Sequence, residues 1–392
     1  MQLSDIPAKF NIPFAASAGA GFIRDVPQAP TGTPGQASLT TGFPPENFQP
    51  VAAGGVPPFG SDFNGILNKS TAWNRWQGAG VAFPPYDATF QAAVGGYPKS
   101  ALVSSLVEDL LIYYSLVDNN VTNPDTGGAG WYIWSRKLTV NTTIYVNAAT
   151  GNDSFNGLTP ATAKATIQAA VDTAWTFPPS QFTITIQVAN GTYTGGVLTP
   201  LFAGPAVIIQ GASTAGVIMN SGSNGAFAVQ GLNQVTIKNV TAANTSSSGG
   251  AGLFSATFSA ILTTQDTASN ATGGSVFAAT DNAVINCGNH TFNGNCLTFW
   301  TASTLGVINL VPGASVYTVS SPLTVSLATV ISFGAAALSL PSGTHPTFVN
   351  PGNVTGKRYD VTLNGVVNTV GAGSTYFPCT IAGTTATGGQ YI

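Results

Sequence analysis

The sequence predicts a mainly β chain wound as a solenoid of β-coils, and three observations carry that expectation. The first is an internal repeat. Steps of 23 residues from Ala260-Ile261-Leu262 reach Ala283-Val284-Ile285, then Gly306-Val307-Ile308, then Thr329-Val330-Ile331. Three more columns keep the step: Phe254, Phe277, Trp300 and Leu323; Ala256, Ala279, Ala302 and Val325; Thr264, Cys287, Leu310 and Phe333. The second is texture: short β-prone runs separated by Gly/Asn turns with no helical stretch between them. With this period, that means stacked β-coils, and the Leu-x-x-Leu-x-Leu pattern of leucine-rich repeats is absent. The third is composition. The 392 residues include 46 Gly and 25 Pro, and only 6% are charged, where a soluble chain usually has about 25%.

The elements follow in chain order. Residues 1–60 are punctuated by Pro and Gly, which remove donors and break helices, so they are expected as an extended arm. Phe10, Phe14, Phe22, Phe43 and Phe48 would dock it on another surface. A helix follows in SDFNGILNKSTAWNRWQ, with Ser61 as its cap and Phe63, Ile66, Leu67, Trp73 and Trp76 at helical spacing. That stripe suits either the core of a small domain or a helix packed on a partner. Residues 86–136 are expected to be β-rich, closing on a turn-forming DNNVTNPDTGGAGW, with Trp131 and Trp134 on one face. This completes a small α+β domain over 61–136.

From about residue 137 the chain reads as strand, Gly/Asn/Asp turn, helix entered at Thr159-Pro160, then the period-two strand FTITIQV. Ala165, Ile167, Ala170, Val171 and Ala174 give that helix an apolar stripe. This strand and helix cover 137–180, the coils 181–345, and a β segment 346–392. Earlier units, GAFAVQGLNQVTIKNVT and PAVIIQGAS, keep the repeat pattern with an offset at AANTSSSGGAG, which has turn composition. Coils stack about 4.8 Å apart, so each column becomes a ladder. Ile261 and Leu262 are both apolar, as are their equivalents, and adjacent strand residues face opposite ways. One face fills the coil; the other needs a partner, most simply another copy about a symmetry axis.

Composition also excludes functions. Eleven basic and fourteen acidic residues leave a net charge of −3, with no Lys/Arg cluster to neutralise phosphates, which argues against nucleic-acid binding. No run of 18 apolar residues exists to span a membrane, and MQLSDIPAKF lacks the pattern of a secretion signal. Cys287, Cys296 and Cys379 are too few for a disulfide framework. Cys287, His290 and Cys296 match no zinc pattern well. Buried free thiols are the favoured reading, a Cys287–Cys296 disulfide the alternative, and no metal or cofactor is expected.

YVNAATGNDSFNGLTPATAKATIQAAV with VANGTYTGG resembles the opening of right-handed parallel β-helix proteins of the pectate-lyase-like type. The resemblance implies a right-handed β-helix whose end is capped by residues 159–175. Separately, IPAKFNIPFAASAGAGFIRDVP, PPFGSDFNGILNKSTAWNRWQ and DNNVTNPDTGGAGW resemble the N-terminal region of tail proteins of proteobacterial phages and prophages. YDVTLNGVVNTVGAGSTYFP is similar to their C-terminal segments. Together they imply a tail fibre or tailspike, usually a homotrimer, joined to a tail or baseplate protein of the virion by its N-terminal region. On that reading Phe63, Ile66, Trp73 and Trp76 serve virion attachment. The distal part meets a host surface glycan or outer-membrane receptor.

Many such tailspikes cleave polysaccharide, which usually takes two carboxylates about 5–9.5 Å apart. Between residues 181 and 356 only Asp266 and Asp281 are acidic, and the repeat puts them on different sides of the coil. They are the catalytic candidates, able to pair only across subunits. Lys238 is the one Lys in that stretch and there is no Arg, so lyase chemistry does not carry over. Asp153, in GNDSFNG, reads as a turn residue rather than a calcium ligand. His290 and Asn289, at a turn beside Asp266, are the receptor-binding candidates. The expectation is a non-enzymatic fibre that recognises its host; the alternatives are a depolymerase with an intersubunit acid pair and a purely structural tail fibre.

Overall fold

A computed structural model describes residues 7–80, 83–222, 225–244, 252–270, 272–311, 315–343 and 345–392. The protein is a parallel β-solenoid of about seven turns with few helices and a small N-terminal region. Two compact units emerge: residues 1–87 with 102–104, and residues 88–101 with 105–392. Residues 105–136 therefore cluster with the solenoid rather than with the helix before them. Most of the turn segment AANTSSSGGAG, residues 245–251, lies outside the described residues.

Successive coils build three parallel sheets of eight, ten and seven strands, and a complete coil visits all three. One coil runs Phe254–Thr257, Ile261–Gln265 and Thr267–Ser269; the next runs Ser275–Ala279, Val284–Cys287 and His290–Phe292. Corners are tight because residues there take positive φ: Phe258 and Ser259, then Asp281 and Asn282, then Thr304 and Leu305. Such backbone is strained for side chains larger than Asn or Asp. A hydrogen-bond ladder holds it, from Ser259 N to Asp281 O (3.0 Å), Asn282 N to Thr304 O (3.2 Å) and Leu305 N to Gly334 O (3.1 Å).

Inward residues stack in register. On the ten-stranded sheet Leu262, Ile285, Ile308, Leu338 and Val367 form a fully buried ladder. On the eight-stranded sheet Phe227, Phe254, Phe277 and Trp300 align, with ring centroids 5.6 and 5.3 Å apart in the first two steps. The sequence repeat holds through this point and then fails. Trp300 stacks on Val330, not Leu323, because that coil spans 30 residues. The extra length forms a side strand in which Leu323 pairs with Val354. Val330 thus belongs to the eight-stranded sheet, while Val307 pairs with Ala337. Val325 and Phe333 likewise leave their assigned columns, since Ala302 pairs with Ser332 and Phe333 pairs with Ser303. Coil length varies elsewhere too, from 27 residues between Phe227 and Phe254 to 23 between Phe254 and Phe277.

The first coil is closed by α3 (Ile167–Ala174; the earlier helices are α1, Gly60–Gly78, and α2, Ala88–Val94). Ile167, Ala170, Val171 and Ala174 of α3 are buried, and the Thr166 hydroxyl caps it by accepting from Ala169 N. Thr159-Pro160 opens a separate 3-10 turn with its own capping box, not this helix. Asp153 is the turn residue expected: its carboxylate accepts from Ala165 N, Thr166 N and the Thr166 hydroxyl at 2.8–2.9 Å. Residues 346–392 continue all three sheets, for example through Val366–Asn368 paired with Ala337–Ser339.

In the first unit α1 does not turn its apolar stripe into the core of a small domain, the first of the two readings. Its buried residues are Asp62, Gly65 and Thr71, while Phe63, Ile66, Leu67 and Trp73 are exposed and Trp76 is half-buried. The reason is that the arm docks by hydrogen bonds rather than by its phenylalanines. Asp62 is paired with Arg24 and accepts from Ala37 N at 2.7 Å. Asn64 and Asn68 donate to the carbonyls of Phe22 and Phe14, both at 2.7 Å. Gly65 lets the arm approach this closely: a Cβ there would lie 1.8 Å from Arg24 O. Phe10, Phe14, Phe22 and Phe48 stay exposed, and Phe43 stacks on Phe63 at 4.7 Å. Ser61 lies inside α1, whose cap position Phe59 offers no side-chain bond.

Candidate functional site

The outward face of the ten-stranded sheet carries the candidate site. Because strand residues alternate, the positions next to the buried ladder point out. They form two columns. One is apolar and half-buried: Ile261, Val284, Val307, Ala337 and Val366. The other is polar: Thr263, Asn286, Asn309, Ser339 and Asn368. Stacking puts amide on amide, and Asn309 Nδ2 donates to Asn286 Oδ1 at 3.0 Å. Such ladders fix the side chains' orientation while leaving lone pairs and N–H groups facing out.

Two adjoining recesses follow this column. One, of about 560 Å³, is lined by Thr263, Asn286, Asn309, Val311 and Ser339 among others. The second, of about 260 Å³, shares Thr263 and Val311 and reaches Gln265, Asp266 and Asn289 at the corner. Among the described residues, Asp266 is the one ionisable residue lining either recess. It takes a left-handed corner conformation (φ 51°) and accepts from Asn289 Nδ2 at 2.8 Å. Asn289 Oδ1 in turn accepts from Val316 N at 2.9 Å. Both residues are exposed. Hydroxyls, amides and one carboxylate on a rigid sheet make a surface that donates and accepts hydrogen bonds without net positive charge.

Of the residues singled out from sequence, Asp266 and Asn289 come together here. Asp281 does not join them. It stands at the corner between the eight- and ten-stranded sheets, whereas Asp266 stands between the ten- and seven-stranded sheets. Within one chain these two carboxylates form no acid pair. His290 is a correction, since it points inward and is 2% exposed. Its Nδ1 and Nε2 pair with the hydroxyls of Thr267 (2.8 Å) and Ser269 (3.0 Å). Its ring meets Phe254, Phe277 and Phe292 edge-on. Burial drops its pKa to about 3, so it is a neutral core histidine and no receptor contact. The one-residue step from Asn289 to His290 across a strand start explains the reversal.

All three cysteines are free and buried, and burial raises each thiol pKa. Among the described residues, no cluster of three or more His, Cys, Asp or Glu side chains is placed to hold a metal ion. No helix among them is long and apolar enough to cross a membrane. Trp131 and Trp134 face opposite sides of their strand, as three-residue spacing requires. Trp131 packs edge-on against Tyr97 and Tyr113, and Trp134 is exposed and stacks on Tyr114.

Sequence reasoning missed the Asn286–Asn309 ladder, although the signal was present. Asn286 and Asn309 are 23 residues apart, one position beyond the apolar pair that defines the repeat. Comparison with protein-family models, with curated proteins and with solved structures found no match to this chain.

Proposed function

We propose that this chain is a phage tail fibre or tailspike that recognises a host-surface glycan and does not cleave it. The observation that carries the reading is the pair of adjoining recesses on the ten-stranded sheet, where amides and hydroxyls stand beside Leu310, Val311, Leu340 and Pro341 and Asp266 supplies a carboxylate at the corner. Sugar hydroxyls call for that mixture of donors and acceptors, and ordered water completes such contacts. Two further features support the assembly expected of such a protein. The half-buried apolar column from Ile261 to Val366 favours homotrimer formation along the solenoid. The exposed face of α1, with Phe63, Ile66 and Trp73 and the half-buried Trp76, favours attachment to a tail or baseplate protein. The protein then resides in the virion, with its N-terminal unit toward the tail.

The test is adsorption of the purified chain to host cells or their extracted polysaccharide, compared with the Asn286→Ala/Asn309→Ala double variant. The ladder is half-exposed, so the variant should keep its melting temperature. Binding should fall by about tenfold, the equivalent of one or two lost hydrogen bonds. Undiminished binding in a folded double variant rejects the recess as the receptor surface.

A further inference from the structure

A second recess, of about 610 Å³, lies within the larger unit, where residues 107–136 meet the cap of the solenoid. Its size is in the range of small-ligand sites, and its lining combines apolar walls with a few polar groups. In a chain with 6% charged residues, four of them border this one space: Glu108, Asp125, Arg136 and Lys164.

These groups are held rigidly. Arg136 makes a bidentate pair with Glu108 (2.7 and 2.8 Å) and donates to the Thr176 hydroxyl at 2.6 Å. Its guanidinium also lies 3.8 Å over the Phe177 ring. Asp125 accepts from the Ser105 hydroxyl and from Leu106 N. Lys164, 8% exposed, donates to Asp153 O at 3.0 Å, and an ammonium has three protons to give. Asn156 uses its Oδ1 for Leu158 N and the Thr162 hydroxyl, which leaves its amide N–H groups for a ligand. Phe155, 39% exposed, and the half-buried Trp131 supply aromatic surface.

We infer that this recess is a second ligand site, for a neutral saccharide, built on Phe155 and Trp131 with Lys164 and Asn156 as donors. Aromatic wall beside fixed donors and acceptors is what a sugar ring needs, with one apolar face and a rim of hydroxyls. Anions are disfavoured: Asp153 and Asp172 also act on Lys164, so four carboxylates surround two cations. The site is distinct from the sheet recess, with which it shares no lining residue.

The test is saturation-transfer NMR on the full chain with galactose, N-acetylglucosamine and glucuronate as probes. At least one neutral sugar should receive saturation, and glucuronate less. Phe155→Ala should weaken that signal by about fivefold, the worth of one stacking contact, with the melting temperature unchanged because the side chain is partly exposed. Asn286→Ala/Asn309→Ala should leave it intact. No transfer to either neutral sugar, a stronger response to glucuronate, or a signal that survives Phe155→Ala overturns the inference. A signal lost in the asparagine variant instead belongs to the sheet recess and overturns it equally, while supporting the proposed receptor surface.

Discussion

Trp300→Ala tests the packing that gives the solenoid its register. Trp300 is fully buried, ringed by Phe292, Phe299, Tyr317, Phe348 and Phe377 with centroids 5.2–6.3 Å away. Its indole N–H is buried with no hydrogen-bond partner among the described residues. Truncation therefore sacrifices packing rather than a strong hydrogen bond. Burying an aromatic side chain removes about 150–250 Å² from water, worth about 4–6 kcal/mol at 25 cal/mol per Å². Partial collapse of the surrounding rings brings the expected loss to about 4 kcal/mol, within the usual range for such truncations. At about 2 °C per kcal/mol for a unit of this size, melting should fall by roughly 8 °C. The assay is thermal and urea unfolding followed by far-ultraviolet circular dichroism, with Trp134→Ala as the exposed control. Among the described residues Trp134 stacks on Tyr114 alone, so its removal should cost about 1 kcal/mol. A Trp300→Ala loss no larger than that control refutes the buried ladder.

Three further outcomes follow from the same structure. Gly65→Ala should push the arm off α1, costing about 1–3 kcal/mol by overpacking; trypsin cleavage after Arg24 should then accelerate about tenfold, and an unchanged rate rejects the close approach. His290 has a folded pKa near 3 against about 6.5 unfolded, so the unfolded chain binds the extra proton. Stability should hold above pH 6.5 and fall below it, by about 2 kcal/mol at pH 5, a contribution that His290→Gln removes; identical pH profiles for the two proteins contradict it. Burial raises the pKa of Asp62, but the Arg24 hydrogen bond, the Ala37 amide and the Arg24 charge outweigh it and the net shift is downward. The arm's latch should thus persist above the ordinary carboxylate pKa and open as pH falls through the lowered one, read by hydrogen exchange at the Ala37 amide.

The fold was legible because stacking demands repetition. Phe254, Phe277 and Trp300, and Leu262, Ile285 and Ile308, recur at one spacing since each must meet its neighbour in the next coil. The third step misled because the side strand at Leu323 lengthens a loop without disturbing the β-like pattern. Apolar residues happen to fall at the old spacing, and arithmetic cannot see an insertion. The arm was misread for a different reason. Phenylalanines suggest apolar docking, yet the arm's carbonyls and amides are satisfied by Asp62, Asn64 and Asn68, and buried backbone must be satisfied first. The charged recess at the cap was invisible because Glu108, Asp125, Arg136 and Lys164 are scattered over 57 positions, and only tertiary packing collects them.

The proposed recognition without cleavage is put to the test by one measurement. Purified chain is incubated with surface polysaccharide extracted from candidate proteobacterial hosts, and bound protein and new reducing ends are assayed together. Retention is expected on at least one polysaccharide, little changed by salt because Asp266 is the only charge among the described residues lining the sheet recess, with no new reducing ends. Release of reducing ends that disappears in Asp266→Asn/Asp281→Asn would contradict it and establish a depolymerase with carboxylates paired across subunits.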